Sequence, residues 1–121
     1  MNVLVVDDKR VIGDFFEFTL GFYGHHIKVV HNPEEALETA KKEHFDVAFL
    51  DIIMPKKDGL DVLAEIKKII PSLPVVMMSG YTVDEKRRQA QELGAVTCLK
   101  KPFDVTDIRG AIKQAVGKDI E

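Results

Sequence analysis

Five short apolar runs, separated by longer segments with helical periodicity, constrain the fold of this chain more than any other feature. The runs are apolar throughout and do not alternate with polar residues, which is typical of strands covered on both faces, as in a parallel sheet. The predicted strands are Val3–Val6, Ile27–Val30, Val47–Leu50, Val75–Met78 and Val96–Leu99. The predicted helices span about 9–24, 34–44, 59–70, 84–93 and 105–117.

This alternation of strands and helices predicts an α/β fold. The simplest arrangement is a single domain over residues 1–121, doubly wound about a five-stranded parallel sheet in the flavodoxin-like order 2-1-3-4-5. Turn-forming residues agree with these boundaries, since Gly24, Pro71 and Gly94 lie between or at the ends of predicted elements. In such a sheet, ligands bind outside the carboxyl ends of the strands, where the winding reverses between strands 1 and 3.

Composition and charge narrow the possible partners and the location. The chain has 121 residues, of which 45% are hydrophobic, and its net charge of −3 argues against a basic surface for direct nucleic-acid binding. Its one cysteine, Cys98, cannot form an intrachain disulfide, and no apolar run reaches the roughly 18 residues of a membrane span. We therefore expect a cytoplasmic protein that binds neither nucleic acid nor membrane directly.

Three aspartates follow the two strands at which the winding reverses. Asp7 and Asp8 come after the first strand and Asp51 after the third, so the predicted topology brings them to one edge of the sheet. Two carboxylates about 4 Å apart repel by roughly 4 kcal/mol, and a cluster must raise its pKa values or recruit positive charge. Oxygen ligands in this number suit Mg²⁺, whereas the lack of His and Cys at these strand ends disfavours zinc. Taken singly, Asp7 or Asp8 could equally cap the first helix.

The ends of the fourth and fifth strands add a hydroxyl and an ammonium group. Ser79 follows the fourth strand and precedes Gly80, and Lys101 precedes Pro102. Alone, each is a weak signal, because a serine after a strand is usually part of a turn and a lysine is usually solvated. Together with Asp51 and a dication, they would surround a phosphoryl group with a nucleophilic carboxylate and distributed positive charge.

The order and spacing of these motifs resemble the response-regulator receiver domains of two-component signalling, the CheY-like family, over essentially the whole chain. The matching features are Asp7-Asp8, Asp51, "MPKKDG" at 54–59, Ser79-Gly80 and Lys101-Pro102. The resemblance implies a phosphorylation-operated switch that promotes only its own phosphorylation and dephosphorylation. It also implies that Asp51 accepts a phosphoryl group from the phosphohistidine of a sensor histidine kinase.

The resemblance further implies a metal site and an output surface. Mg²⁺ is expected on Asp7, Asp8, Asp51 and the backbone carbonyl of Ile53. Phosphorylation is expected to change the binding of a downstream effector, which the residues do not identify, through the fourth helix, the fifth strand and the fifth helix.

The resemblance also implies roles for the residues around the acceptor. Ser79 is expected to donate its hydroxyl to a phosphoryl oxygen, and Lys101 to pair first with the acceptor carboxylate and then with the phosphoryl group. The Lys101–Pro102 peptide bond is expected to be cis, which for proline costs only about 0.5–1 kcal/mol. Pro55 and Gly59 are expected to shape the loop beside the acceptor, and Asp58 to cap the third helix.

One position departs from the family pattern. Receivers usually carry Tyr or Phe three residues before the lysine that follows the fifth strand, and this chain carries Cys98 there. Cys98 is most simply interpreted as a small residue at the edge of the core, and its thiol is too small to replace the usual aromatic readout. We hypothesise that Tyr81 or a shift of the fourth helix carries the signal. In the family, the positions of Tyr81 and Ile53 flank the path of the hydrolytic water. The resemblance therefore implies that two bulky residues there shield the acyl phosphate and lengthen its lifetime.

The first helix carries more apolar residues than burial against one sheet face requires. One stripe consists of Ile12, Phe16, Thr19, Leu20 and Tyr23, and a second consists of Val11, Phe15, Phe18 and Phe22. The second stripe either packs at the edge of the sheet or forms a docking surface. Because receivers typically engage their kinase with this helix and the loop after the fifth strand, the resemblance implies kinase binding at Ile12, Phe15, Pro102 and Phe103.

Two other functions remain open. An aspartyl phosphatase of the haloacid dehalogenase-like class would require a second aspartate two residues after Asp51, where Ile53 stands, and an insertion for a substrate cap. A pseudo-receiver that binds partners without phosphorylation would not require the complete acidic set. Both a stand-alone receiver and one segment of a longer regulator fit the sequence.

Overall fold

Five parallel strands form a sheet in the computed structural model, which describes residues 1–80 and 84–119. The strands are β1 (Asn2–Val6), β2 (His26–Val30), β3 (Val47–Asp51), β4 (Val75–Ser79) and β5 (Thr97–Lys100). The helices are α1 (Arg10–Thr19), α2 (Pro33–Lys42), α3 (Gly59–Ile69), α4 (Asp84–Glu92) and α5 (Val105–Val116). Every neighbouring pair is parallel and the order is β2-β1-β3-β4-β5, which confirms the predicted topology.

Helices cover both faces of the sheet. Side chains alternate along each strand, so Val3 and Val5 belong to one core cluster while Leu4 and Val6 belong to the other. The cluster with Val3 and Val5 packs against α1 and α5, and the cluster with Leu4 and Val6 packs against α2, α3 and α4. Because both faces are buried, the strands are apolar throughout.

The predicted first helix, 9–24, is too long. α1 ends at Thr19, and a 3₁₀ turn, Gly21–Tyr23, follows before Gly24 adopts a φ of 88°. Glycine takes this left-handed conformation at no steric cost, so it redirects the chain into β2. The other predicted helices and strands agree with the structure to within two residues at each end.

The first apolar stripe is buried at Phe16 and Leu20, whereas Tyr23 at its end is 62% exposed. The Phe16 ring packs against Phe49 with the ring centroids 4.7 Å apart. The second stripe contains three side chains that are 68%, 79% and 82% exposed, namely Val11, Phe18 and Phe22. Most of the second stripe is therefore exposed surface and does not pack at the edge of the sheet.

Polar side chains fix the starts of three helices. Asn32 precedes α2, Asp58 precedes α3 and Asp104 precedes α5, and each accepts a hydrogen bond from a backbone N–H in the first turn. The predicted capping role of Asp58 is therefore confirmed. Among the described residues, no helix has the length and apolar character needed to cross a membrane.

Candidate functional site

Asp7, Asp51 and Lys101 meet at the carboxyl edge of the sheet. Lys101 Nζ donates to Asp7 Oδ2 at 2.7 Å and to Asp51 Oδ2 at 3.3 Å. The side chain of Asp7 is fully buried and that of Asp51 is 6% exposed, so both carboxylates depend on this ammonium group for charge compensation. Lys101 lies 94 residues from Asp7 and 50 residues from Asp51 along the chain, and the sheet brings the three together.

The surroundings of Asp51 raise its pKa above the ordinary value of 3.8. Burial is the main cause, and the negative charge of Asp7 adds to it. Lys101 and the N–H of Ile53, which donates to Asp51 Oδ1 at 3.2 Å, act in the opposite direction without cancelling the rise. The ionised form of Asp51 is therefore less favourable in the folded protein than in water. An additional cation nearby would stabilise this ionised form.

Asp8 completes an acidic group that fits a divalent cation. One carboxylate oxygen from each of Asp7, Asp8 and Asp51 lies within 4.8 Å of the others. Asp8 is more open to solvent than the other two, which leaves a side from which a hydrated ion can approach. Three oxygen donors, with no histidine or cysteine among them, match the ligand preference of Mg²⁺ and not that of zinc.

The helix-capping alternative for Asp7 and Asp8 does not hold. Lys9 is the residue that precedes α1, and no side-chain hydrogen bond caps the helix there. Asp7 Oδ1 instead accepts the N–H of Lys9 at 2.9 Å, and its backbone carbonyl lies 3.0 Å from His31 Nδ1. Asp7 is thus fixed at the site by contacts on both its side chain and its backbone.

Gly59 holds the segment after β3 against the site. Its N–H donates to the carbonyl of Ile52 at 2.7 Å. A Cβ at this position would lie 2.1 Å from the carbonyl oxygen of Asp51 and 2.6 Å from Ile52 Cα, so any other residue would displace the backbone beside Asp51. Lys56, in the same segment, has a φ of 72°, which is uncommon for a residue with a side chain.

Ser79 and Lys101 are connected through the backbone. Ser79 is the last residue of β4 and is 1% exposed, and its carbonyl accepts the N–H of Lys101 at 2.8 Å. β4 pairs directly with β3, so Ser79 ends the strand next to the one that Asp51 ends. The Lys101–Pro102 peptide bond is cis, as predicted.

The predicted kinase-contact residues lie on one continuous surface. The rings of Phe15 and Phe103 meet edge to face with centroids 6.2 Å apart, and Phe103 also lies 6.0 Å from Phe16. Ile12 is half-buried against the same core cluster, and Pro102 is exposed next to Phe103 in the chain. α1 and the loop after β5 therefore adjoin each other beside the acidic group.

Cys98 is half-buried at the edge of the core, in agreement with its interpretation as a small core-edge residue. Burial raises the pKa of its thiol and outweighs the opposite effect of the neighbouring Arg87. Ile53 is 54% exposed. Tyr81 lies outside the described residues, so its roles in carrying the signal and in shielding the acyl phosphate stay predictions.

Sequence reasoning misses two contacts between elements. Lys86 Nζ donates to Asp58 Oδ2 at 2.8 Å and so joins α4 to the start of α3. Lys86 belongs to a strongly charged run that by composition resembles a solvated helix face, so no local signal marks it. Gly13 packs α1 against β2, because a Cβ there would lie 2.5 Å from Val29 Cγ1. A glycine inside a helical pattern is the one signal that could have indicated this close contact.

Comparison with known proteins identifies the family. The response regulator receiver domain family matches residues 3–113 of the chain. The chain belongs to this family. The receiver domain is 32% identical over 113 residues to sporulation initiation phosphotransferase F of Bacillus subtilis, covering 93% of this chain and 91% of that protein. It is 29% identical over 116 residues to the transcriptional regulatory protein ZraR of Escherichia coli, where it covers 96% of this chain but spans only 26% of the longer protein.

Solved structures of receiver domains share the fold. A CheY-like receiver domain from Methanospirillum hungatei superimposes with a TM-score of 0.91 at 28% identity, covering 96% of this chain and 93% of that one. A receiver domain from Clostridium thermocellum superimposes with a TM-score of 0.88 at 31% identity, covering 96% of this chain and 94% of that one. A response regulator from Burkholderia pseudomallei superimposes with a TM-score of 0.88 at 28% identity, covering 96% of this chain and 68% of that one. That structure was solved with a phosphorylated aspartic acid, a calcium ion and citrate.

The family assignment distinguishes a receiver domain from an aspartyl phosphatase. The chain is a receiver domain of two-component signalling, a family whose role is signalling. The aspartyl phosphatase alternative is therefore not supported. Receiver domains accept phosphoryl groups from histidine kinases and typically use Mg²⁺, and the acidic group of this chain suits such an ion.

Proposed function

We propose that this receiver domain is a cytoplasmic, phosphorylation-operated switch in which Asp51 accepts a phosphoryl group from a sensor histidine kinase. The observation that carries the proposal is the position of Asp51 at the end of β3, with Lys101 Nζ 3.3 Å away and the charge of Asp7 close by. The carboxylate, the ammonium group and the remaining acidic residues are the components that phosphoryl transfer to a carboxylate requires.

The transfer exchanges one bond to phosphorus for another. An oxygen of Asp51 forms the new P–O bond while the P–N bond to the donor histidine breaks, and the electron pair of that bond stays with the imidazole nitrogen. Lys101, which donates to Asp51 before the reaction, would then donate to a phosphoryl oxygen, and the Ser79 hydroxyl would donate to another. Both residues are held at the strand ends before the donor arrives, so little reorganisation accompanies the reaction.

Asp7, Asp8 and Asp51, with the backbone carbonyl of Ile53, would hold Mg²⁺. When bound, the ion supplies positive charge that compensates the negative charge on the phosphoryl oxygens. The donor set supports this assignment, because three carboxylate oxygens lie within 4.8 Å of one another. The raised pKa of Asp51, caused mainly by burial, supports it as well, since the ionised carboxylate gains from a second cation.

Labelling with acetyl phosphate and Mg²⁺ tests the acceptor assignment. We expect mass spectrometry of the intact protein to show one added phosphoryl group, which is absent in Asp51→Asn and absent after EDTA removes divalent cations. Asp61→Asn changes an exposed aspartate in the first turn of α3 and serves as the matched control, which should still be labelled. Labelling that survives Asp51→Asn would contradict the assignment, and no labelling of the native protein would favour a pseudo-receiver.

Kinase docking is proposed on the surface formed by Ile12, Phe15, Pro102 and Phe103. Its support is the direct contact between α1 and the loop after β5, where the Phe15 and Phe103 rings lie 6.2 Å apart. We expect Phe15→Ala to slow transfer from a phosphorylated sensor kinase by about tenfold, while labelling by acetyl phosphate is unchanged. Leu93→Ala, at an exposed apolar position after α4, is the control and should slow neither reaction. Equal slowing of both reactions by Phe15→Ala would show damage to the acceptor site and not to docking.

The output is proposed on the surface of α4, β5 and α5. β5 leads directly into Lys101, and Lys86 of α4 bonds to Asp58 beside the segment that follows the acceptor. These contacts connect the acceptor to two of the three elements. Amide NMR shifts on phosphorylation should therefore extend into α4 and β5, and changes confined to the neighbours of Asp51 would contradict this output surface.

A further inference from the structure

A depression of about 390 Å³ lies where α4, β5 and the start of α5 meet. Among the described residues, α4 contributes Arg87 to its lining and β5 contributes Cys98 and Lys100. Phe103 and Asp107 line the side formed by the segment that enters α5. Lys101 and Pro102 also line it, so the depression begins on the proposed output surface and reaches the loop after β5 that adjoins the proposed kinase-docking surface. Its volume is large enough to receive a side chain from a partner.

The depression is locally positive although the chain has a net charge of −3. Arg87 and Lys100 are exposed, and neither forms a salt bridge with a carboxylate of the described residues. Asp107, which also lines the depression, accepts the N–H of Asp104 at 2.9 Å in the capping box of α5. Two cations without a carboxylate at ion-pair distance attract an anionic group.

Between the two cations, the depression is lined by uncharged residues, one of which, Cys98, interacts with the side chain of Arg87. Cys98, Leu99 and Phe103 are half-buried there. Burial raises the pKa of the Cys98 thiol above its ordinary value of 9.0, so the thiol stays protonated at neutral pH. The combination of half-buried apolar residues with cations at the rim is the usual composition of a site for a peptide side chain, with apolar burial at the centre and charge pairing at the edge.

We propose that this depression binds an acidic peptide segment of a downstream protein, with one apolar side chain over Cys98 and carboxylates paired with Arg87 and Lys100. This inference rests on the proposed function, because it assigns a partner chemistry to the proposed output surface. A nucleic-acid strand, the other common polyanion, fits less well because Asp107 lines the depression and the chain as a whole is acidic.

NMR titration of the full ¹⁵N-labelled domain with synthetic peptides tests the proposal. The probe is a short Glu-rich peptide with one central Phe, and its counterparts replace every Glu with Lys or the Phe with Ala. We expect the probe to cause saturable amide shifts at Arg87, Cys98 and Lys100 that weaken as salt is added. Each counterpart should bind about tenfold more weakly. The Lys-rich peptide loses its ion pairs with Arg87 and Lys100, and the Ala peptide loses the burial of its aromatic side chain.

Charge-reversed variants locate the binding. The double variant Arg87→Glu/Lys100→Glu should weaken binding of the probe about tenfold. Lys28→Glu makes the same kind of change at an exposed position of the edge strand β2 and should leave binding unchanged. Equal affinity for the Glu-rich and Lys-rich peptides, or an equal effect of Lys28→Glu, would overturn the proposal. Stronger shifts at the same amides with a single-stranded oligonucleotide would also overturn it in favour of nucleic acid.

Acetyl phosphate labelling, measured in parallel, separates this proposal from the proposed function. The double variant should still be labelled on Asp51, which also shows that it is folded. A native protein that binds the peptide but is not labelled would refute the phosphoacceptor role alone. A native protein that is labelled but does not distinguish the peptides would refute the acidic-partner proposal alone.

Discussion

At the scale of single residues, Asp51 is held in a buried position at a cost to stability. Asp7 is fully buried and Asp51 nearly so, and one ammonium group, that of Lys101, contacts both. Burial and the charge of Asp7 raise the pKa of Asp51 despite this contact. A carboxyl group whose pKa rises on folding destabilises the native state wherever it is ionised. The buried position of Asp51 is therefore not arranged for maximal stability.

We predict that Asp51→Asn stabilises the domain at neutral pH in buffer free of divalent cations. The substitution keeps the shape of the side chain and removes a charge that burial disfavours, so the free energy of unfolding should rise by about 1 kcal/mol. The gain should shrink as pH falls through the raised pKa of Asp51 and vanish below 3.8, where the carboxyl is protonated in both states. Urea unfolding followed by circular dichroism at several pH values measures this difference.

Asp46 provides a control of opposite sign. The N–H of Asn2, which donates to Asp46 Oδ2 at 2.7 Å, is the main cause that lowers the pKa of Asp46 below 3.8. Its contribution to stability is present above 3.8 and is lost as pH falls through the lowered pKa, so Asp46→Asn should destabilise at neutral pH. If both substitutions changed stability in the same direction at neutral pH, the argument from burial of Asp51 would be wrong.

We predict that Lys101→Met increases the affinity of the domain for Mg²⁺. The Lys101 ammonium group lies 2.7 Å from Asp7 Oδ2 and 3.3 Å from Asp51 Oδ2, so it competes with any other cation for these oxygens. Without metal, the variant should be less stable by about 3 kcal/mol, because two buried carboxylates lose their counter-charge. Adding Mg²⁺ should then recover stability in proportion to its binding.

Isothermal titration calorimetry and urea unfolding with and without Mg²⁺ measure these two effects. Lys100→Met alters the neighbouring lysine, which is exposed and makes no salt bridge with the described carboxylates, and it should change neither quantity. Weaker Mg²⁺ binding by Lys101→Met would contradict the competition between the ammonium group and the ion.

At the scale of elements, the turn from β3 into α3 depends on a glycine for its close approach to the site. We predict that Gly59→Ala destabilises the domain by about 3 kcal/mol and slows acetyl phosphate labelling. A Cβ there would lie 2.1 Å from the Asp51 carbonyl oxygen, so the backbone beside the acceptor must move. Urea unfolding and the rate of phosphoryl incorporation measure the two effects.

Gly110→Ala is the matched control within a helix. Gly110 lies inside α5, and a Cβ there would meet no atom within 4 Å among the described residues. Alanine has a higher helix propensity than glycine, so the free energy of unfolding of the variant should rise by about 0.5–1 kcal/mol. Its rate of labelling by acetyl phosphate should be unchanged. Similar losses in both glycine variants would show that contact with the acceptor strand is not the cause.

At the scale of the whole molecule, stability comes from two core clusters, one on each face of the sheet, and the exposed stripe of α1 adds little. We predict that Phe16→Ala lowers the free energy of unfolding by roughly 3–5 kcal/mol, because Phe16 is fully buried against Phe49. Phe18→Ala, two positions away and 79% exposed, should change stability by less than about 0.5 kcal/mol. The chain has no tryptophan, so unfolding is followed by circular dichroism. Comparable losses would mean that Phe18 is buried in solution.

The positions of the strands and the residues at their ends follow from local sequence patterns, and the order 2-1-3-4-5 is the simplest arrangement of those strands. Apolar runs without alternation indicate burial on both faces, and this property depends on residues that are neighbours in the chain. Parallel strands then bring their carboxyl ends to one edge, which is why Asp7, Asp51 and Lys101 were predicted to meet although 94 positions separate the first from the last.

The contacts among these residues and the exposure of the surfaces around them become visible only in the folded chain. The structure showed that one ammonium group bridges two carboxylates, that Gly59 touches the acceptor strand, and that Lys86 joins α4 to α3. It also showed that the second stripe of α1 is exposed and that the first helix ends early, before Gly21. Apart from the helix end, these features depend on distances between segments remote in the chain, and a local pattern of residues contains no measure of those distances.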